Sequence, residues 1–440
     1  MRSGATACSA ARDPRSQSMN ALAHTAIPAD GRYADVASMP IEAIDLTCPR
    51  LFHDDNHEAV FDRLRAEDPV HLQHGSDSGA FWSVTRYDDA MAVDTNHKVF
   101  SSRDISLVED MPEGFDISMF LAMDPPRHTA YREALKPLFS AIHVATLEDG
   151  IRARTRAILD ELPVGETFDW VERVSIELTS FVLSTLFDFP FEERHRLIEW
   201  SDRAVLKNAR EDGASLRWED RQADLMECLR EFTRIKDERA GGDRSDLVSV
   251  LAHGHGQKFL RPSEFLGNIL LMIVAGNDTT RNSITGGVVA LNRFPDEYRR
   301  LRDDRSLLAG AVAETFRWQS PVAYMRRTAA FDTQLGGKRI RAGEKVLIWY
   351  ASGNRDASVF DDPHAFRIDR KNVAKHLSFG FGVHRCIGLR LADLQLRVLW
   401  EELLDRFDAV ETVGEPTYTP STFIKGYSHL PVRLHRRTKR

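Results

Sequence analysis

Phe379-Gly380-Phe381-Gly382-Val383-His384-Arg385-Cys386-Ile387-Gly388 is the stretch on which the reading of this chain turns. It sets three glycines and one cysteine directly before a predicted helix that begins near Leu389. Glycine lets the backbone approach a flat ligand closely and take up dihedrals closed to other residues. A thiolate at Cys386 can accept N–H hydrogen bonds from the loop and sits near a helix N-terminus, and both stabilise negative charge. A lone cysteine at a glycine-rich turn is ordinarily structural. The ordered set Phe-Gly-x-Gly-x-His-x-Cys-x-Gly is much more specific than that.

Bulk composition sets the limits around this loop. The chain has 440 residues, 42% hydrophobic and 28% charged, enough to bury a sizeable core. A formal charge of −7 argues against a nucleic-acid binder, which needs a basic excess to neutralise phosphates. Crossing a membrane takes about eighteen apolar residues, and the longest apolar stretch, Ile269 to Gly276, is far shorter. No membrane anchor is expected, and a cytoplasmic location is. Cys8, Cys48, Cys228 and Cys386 form no CxxC pair and no zinc-like spacing, which suits a reducing compartment. Residues 1–40 are expected to be a disordered tail without the apolar segment of a secretory signal, with Met19 as an alternative start to Met1. The folded body is expected over 41–440 as a single large domain.

Helical periodicity dominates that body, over Glu58–Glu67, Thr129–Phe139, Leu147–Leu162, Val174–Phe187, Glu192–Ala209 and Glu219–Arg239. The last of these is ended by Ala240-Gly241-Gly242. A further helix is predicted from a cap near Ser263-Glu264 to about Phe294, before Pro295. Roughly thirty helical residues reach about 45 Å, so this helix must cross the core. Strand signals fall in two places. His71–His74 and Ala80–Thr85 flank Gly75-Ser76-Asp77-Ser78-Gly79 as a hairpin, and Ala329–Gly337, Lys338–Arg341 and Lys345–Tyr350 form the second group. The fold class is mainly α with a minor β region, and not a βαβ repeat.

Three further groups of residues stand out. Glu314 and Arg317 share one helix face, a spacing that by itself describes an ordinary i,i+3 ion pair. His128 and Arg132 share a face on a helix that starts after Asp124-Pro125-Pro126. Ala275-Gly276-Asn277-Asp278-Thr279-Thr280 sets poor helix formers inside the long helix, so a widened or kinked turn is expected there.

The cysteine segment resembles the haem-binding signature of the cytochrome P-450 superfamily at every motif position, and the other groups follow in that family's order. The resemblance covers about Phe52 to the C-terminus. It implies the cytochrome P-450 fold, a haem b cofactor, and Cys386 as the residue whose sulfur binds the iron. An iron-bound thiolate pushes electron density onto the metal and favours O–O cleavage. The resemblance further implies that Phe379, Gly380, His384, Gly388, Ala275 and Gly276 contact the cofactor. His128, Arg132, Arg327 and His376 would anchor the haem carboxylates. Glu314 and Arg317, completed by Arg370 in Phe366-Arg367-Ile368-Asp369-Arg370, would lock the cysteine loop from behind. Thr279 would hold the oxygen and water network, Asp278 would pass protons inward, and Asn277 and Thr280 would support them. The activity implied is that of a monooxygenase that takes O2 and puts one oxygen atom into a C–H bond.

Candidate pocket walls are apolar: Ile105, Leu107, Phe120, Leu121, Leu271, Val274, Val322, Ala323, Met325, Phe423 and Ile424. Of these, Leu121, Leu271, Val274, Val322, Met325 and Phe423 are the pocket candidates carried forward, and the substrate expected is an apolar small molecule. Gly276–Ser283, Met325–Thr328, Trp349–Asp356 and Phe423–Tyr427 together resemble the bacterial branch that hydroxylates the terminal carbon of medium-chain alkanes and fatty acids. The rival substrate class is a terpene or other cyclic hydrocarbon. A peroxide-driven enzyme of the same fold is a nearer variant, and a non-catalytic haem-thiolate sensor or electron carrier is the rival from another class. No GxGxxG follows a strand and no second cysteine cluster occurs, so electrons are expected from a ferredoxin and its flavoprotein reductase. Arg385 and Arg390 are the candidates to receive the acidic ferredoxin.

Overall fold

The computed structural model describes residues 33, 35–48, 50–53, 55–74, 78–104, 107–108, 110, 118–205, 218–240, 246–253 and 261–437. Most of the expected tail, the turn residues 75–77, Ile105 and Gly241-Gly242 lie outside these. Tyr33 and Val36 are buried in a cluster with Phe52, Phe61 and Trp349, so folded structure begins ahead of Ile41, where the sequence put its start.

Helices make up most of the described chain, as expected, and their apolar faces form one large cluster around the long helix. That helix is Pro262–Arg293, a single α-helix of 32 residues. Pro262 stands at its first position after Arg261, so Ser263 is not the cap. Proline loses nothing there because the first N–H groups have no helical partner. The widened turn expected at Ala275–Thr280 does not form. The polar side chains instead bond carbonyls one turn back: Thr279 Oγ1 to Ala275 O at 2.6 Å, Asn282 Nδ2 to Asp278 O at 2.8 Å, and Ser283 Oγ to Thr279 O at 2.8 Å. A π-helical turn occurs elsewhere, at Val171–Ile176, leading into Glu177–Phe187.

Five short strands form a mixed sheet in the order Val70–Gln73, Phe81–Val84, Lys345–Trp349, Tyr324–Ala329, Phe100–Ser101. The expected hairpin pairs Val70 with Val84 through Gln73 with Phe81. Phe81–Val84 then runs parallel to Lys345–Trp349. The strand expected over Ala329–Gly337 is two strands. Tyr324–Ala329 belongs to the large sheet, and Thr333–Leu335 pairs back on Lys338–Ile340. Gly336 and Gly337 make that turn with φ of 55° and 76°, which other residues rarely adopt.

A third β region was not foreseen. Thr167–Asp169, Pro431–Arg436 and Phe407–Thr412 form a three-stranded antiparallel sheet. Only Thr167–Asp169 is short; Pro431–Arg436 alternates buried Val432 and Leu434 with Arg433 and His435, a strand signal that the reading of the sequence passed over.

Candidate active site

The cysteine loop lies between the helix Leu308–Gln319 and the long helix, and it enters the helix Leu389–Arg406. The Cys386 amide donates to Phe379 O at 2.7 Å and the Gly380 amide to Leu377 O at 2.8 Å, which closes the loop. Gly380 and Gly382 take φ of 61° and 66°. A Cβ on Gly382 would stand 2.7 Å from the Asp94 carbonyl, so no other residue fits there without a shift. The Gly388 and Leu389 amides donate to the Cys386 sulfur. Burial pushes that thiol up, and the two amides with Arg132 and Arg385 pull against it.

Behind the loop, Glu314 and Arg317 are fully buried and bond through both carboxylate oxygens. Arg370 donates from Nε to the same carboxylate at 3.1 and 3.2 Å. Arg317 also donates to Asn354 O, Pro363 O and Ala365 O, so every arm of the guanidinium is used. Asn354 passes the order on, with Nδ2 donating to Ser378 Oγ at 2.8 Å and Oδ1 accepting from the Leu377 amide at 2.6 Å. The three residues named from sequence are therefore in contact, and their link to the loop runs through Asn354.

A cavity separates the cysteine loop from the long helix. It is lined on one side by Phe379, Gly380, His384, Cys386 and Gly388, and on the other by Leu271, Ala275, Gly276, Thr279 and Thr280. Arg132 and Arg327 also line it. Arg132 makes no ion pair with a carboxylate among the described residues. Neither ring nitrogen of His384 nor Nε2 of His128 has a hydrogen-bond partner, although all are buried. The two rings lie 4.1 Å apart. Burial and nearby arginines lower His384 to about 2 and His128 to about 4, so both stay neutral. His376 is one step back, packed on Phe316 and Phe379 and lowered to about 4 by burial. Donors left without acceptors beside an apolar slot, with a thiol at its floor, fit a flat apolar group that carries carboxylates and a metal. Haem is such a group.

On the far wall, Thr279 faces the cavity while Asp278 points away from it. Asp278 Oδ1 accepts from Arg281 Nη2 at 2.6 Å and Asn277 Nδ2 at 3.0 Å, and Oδ2 accepts from Ser201 Oγ at 3.3 Å. Arg281 reaches on to Asp202 at 3.3 Å, and Asp202 is part-exposed. Burial raises the Asp278 carboxyl to about 6 against the pull of Arg281.

Leu121, Leu271, Val322 and Met325 line the cavity, as does Phe120. Val274 and Phe423 are not among its lining residues. Val274 is half-buried on another face of the long helix, and Phe423 packs on Tyr324 with ring centroids 5.5 Å apart. Leu107, Ala323 and Ile424 do not line it either, though Ile424 pairs with Val322 and so supports the wall. Leu183, Leu186 and Leu247 line it unforeseen, since their helices carry no motif. Asp94 was also missed. Its carboxylate, 3% exposed, pairs with Arg327 at 2.7 Å.

A family profile described as Cytochrome P450 matches residues 72–426. A linalool 8-monooxygenase from Pseudomonas putida is 35% identical over 90% of this chain and 99% of its own length. A methyl-branched lipid omega-hydroxylase from Mycobacterium tuberculosis is 32% identical over 86% of this chain and 91% of its own length. Among solved structures, a cytochrome P450-153 from Novosphingobium aromaticivorans is 41% identical, with a TM-score of 0.83 over 89% of this chain and 99% of that one. CYP153D17 from Sphingomonas sp. PAMC 26605 is 40% identical, with a TM-score of 0.85 over 90% of this chain and 100% of that one.

Proposed function

Because the chain belongs to the cytochrome P450 family and is a monooxygenase of that family, we propose that it hydroxylates the terminal carbon of medium-chain alkanes or fatty acids. The observation that carries this reading is the character of the cavity. Its far wall, with Leu121, Leu183, Leu247, Leu271, Val322 and Met325, offers no charged group, and the two arginines that line the cavity belong to the haem-carboxylate set. A terminal methyl has the strongest C–H bonds of an alkane, so attack there requires walls that present the chain end first. The four segments that resemble the alkane-hydroxylating branch support the same reading.

Haem held by Cys386 supplies the activation of O2, and the protein supplies position, charge and protons. Arg132, Arg327 and His128 would hold the haem carboxylates together with His384. His384 replaces the expected His376, because it lines the cavity with both ring nitrogens unpartnered while His376 does not line it. Glu314, Arg317 and Arg370 brace the loop that presents the sulfur. Thr279 keeps its hydroxyl on the cavity side of the long helix. Asp278, next to Thr279 in the chain, has a carboxyl raised to about 6 and is linked through Arg281 to the part-exposed Asp202, so it is the residue we assign to moving protons inward. Electrons would come from a ferredoxin and its reductase. No helix among the described residues is long and apolar enough to cross a membrane.

Product analysis with octane, ferredoxin and reductase tests the proposal. 1-Octanol is expected as the main product, and mainly in-chain alcohols would refute it. A terpenoid substrate is the second reading, favoured by the similarity to the linalool 8-monooxygenase. Comparing spectral shifts on binding octane and limonene separates the two.

A further inference from the structure

We propose that Asp94 is a positioning residue for the haem site: it fixes Arg327, Tyr350 and the Phe381 amide in one arrangement and sets the charge that this side of the cavity presents. This rests on the haem-thiolate reading above and deepens it. Asp94 ends the helix Tyr87–Asp94. A carboxylate at a helix C-terminus opposes the helix dipole, so the helix itself gives no reason for an acid there.

The reason lies in what Asp94 touches. Oδ1 accepts from Arg327 Nη2 at 2.7 Å. Oδ2 accepts from Tyr350 Oη at 3.0 Å and from the Phe381 amide at 2.7 Å. These donors sit on a strand, on the helical turn after another strand, and on the cysteine loop, so one buried carboxylate ties three segments together. Burial and the neighbouring carboxylate keep the Tyr350 hydroxyl protonated and able to donate. The loop glycines make room for the acid, since a Cβ on Gly380 would lie 3.3 Å from Asp94 Oδ2.

The two arginines that line the cavity are thereby unlike. Arg132 would meet a haem carboxylate without a carboxylate partner of its own among the described residues, whereas Arg327 would meet one already paired with Asp94. Asp94 holds Arg327 in place at the cost of part of its charge. Because a negative charge near the iron favours the oxidised state, the pairing contributes to holding the reduction potential down.

Midpoint potentials of the purified, haem-loaded full chain test this, with wild type compared against Asp94→Asn and Tyr350→Phe. Asp94→Asn removes the negative charge, so its midpoint is expected at a more positive potential. Tyr350→Phe takes a donor from the carboxylate and leaves its charge less compensated, so its midpoint is expected at a more negative potential. Shifts of the same sign, or no shift in either variant, would overturn the proposal. If Asp94→Asn does not retain haem, the sign of the Tyr350→Phe shift decides alone. The carbon monoxide spectrum of the reduced wild type is read first. Absence of a thiolate-type band there would sink the haem-thiolate reading rather than the role of Asp94.

Discussion

Glu314 and Arg317 lie one turn apart on the helix Leu308–Gln319 and share two hydrogen bonds, Nε to Oε2 at 2.8 Å and Nη2 to Oε1 at 2.7 Å, with neither side chain exposed. On a surface the same spacing contributes a few tenths of a kcal/mol, about 0.2–0.5. Here every donor of Arg317 has an acceptor, and the carboxylate also takes Arg370 and the Arg367 amide. Arg317→Ala leaves a buried carboxylate short of its partner, which costs about 3–5 kcal/mol. Thermal unfolding should show a large loss of stability, and the reduced protein should lose its thiolate-type carbon monoxide band as the loop slackens. A variant with unchanged unfolding temperature and spectrum would contradict the bracing role.

Arg132 is the cavity arginine without a carboxylate of its own. Charge-assisted hydrogen bonds contribute about 1.5–3 kcal/mol, so Arg132→Gln should weaken haem binding on the order of ten- to a hundredfold. Transfer of haem to an acceptor apoprotein, followed by absorbance, measures this directly. Transfer at the wild-type rate would remove Arg132 from the anchoring set.

Asp278 should show itself in pH dependence. Its carboxyl is raised in the folded protein to about 6 by burial, above its unfolded value. Stability linked to it is therefore fully present below the unfolded value and is lost as pH rises through about 6. Asp278→Asn has no charge to bury, so its unfolding temperature should gain on wild type between pH 5 and pH 7. The same variant should lower turnover about a hundredfold, within the range typical of a lost proton-transfer group. A constant difference in unfolding temperature across that pH range would count against the assignment.

Gly276 lies under Leu183, and a Cβ there would come within 2.7 Å of Leu183 Cδ2. Leu183 lines the cavity, and its side-chain end can move. Gly276→Ala should therefore narrow the space above the haem and alter the ratio of alcohols formed from octane, at a stability cost of about 1–3 kcal/mol. An unaltered product ratio would show that Leu183 does not face the substrate.

Arg390 and Arg385 are exposed beside the cysteine loop. Arg390→Glu should raise the Michaelis constant for ferredoxin at low salt, with the difference shrinking as salt screens the charges. A difference independent of salt would argue for a role inside the protein.

The parts of the site legible in the sequence are those whose chemistry forces residue types into a short span. The cysteine loop is one, because its glycines, sulfur donors and following helix lie within a dozen residues. The brace was legible only through the family resemblance, because the spacing of Glu314 and Arg317 alone fits an ordinary surface ion pair, and their burial and the contact with Arg370 needed the structure. Asp94 could not be read this way. It sits alone in an ordinary helix, and its partners are 233, 256 and 287 residues away. Val274 and Phe423 misled for a related reason, because an apolar residue near a site in sequence can turn to a neighbouring cluster. The turn at Ala275–Thr280 misled because side-chain hydrogen bonds to the preceding turn let polar residues stay helical, which composition does not reveal.

The parallel pairing of Phe81–Val84 with Lys345–Trp349 has a consequence for biosynthesis. Parallel neighbours so far apart along the chain close a very long loop, and such contacts form late and slowly. The cysteine itself emerges from the ribosome after both strands. A nascent chain thus has no place for its cofactor until almost all of it has been made, and shortage of haem during expression should leave full-length but incomplete protein rather than truncated active fragments.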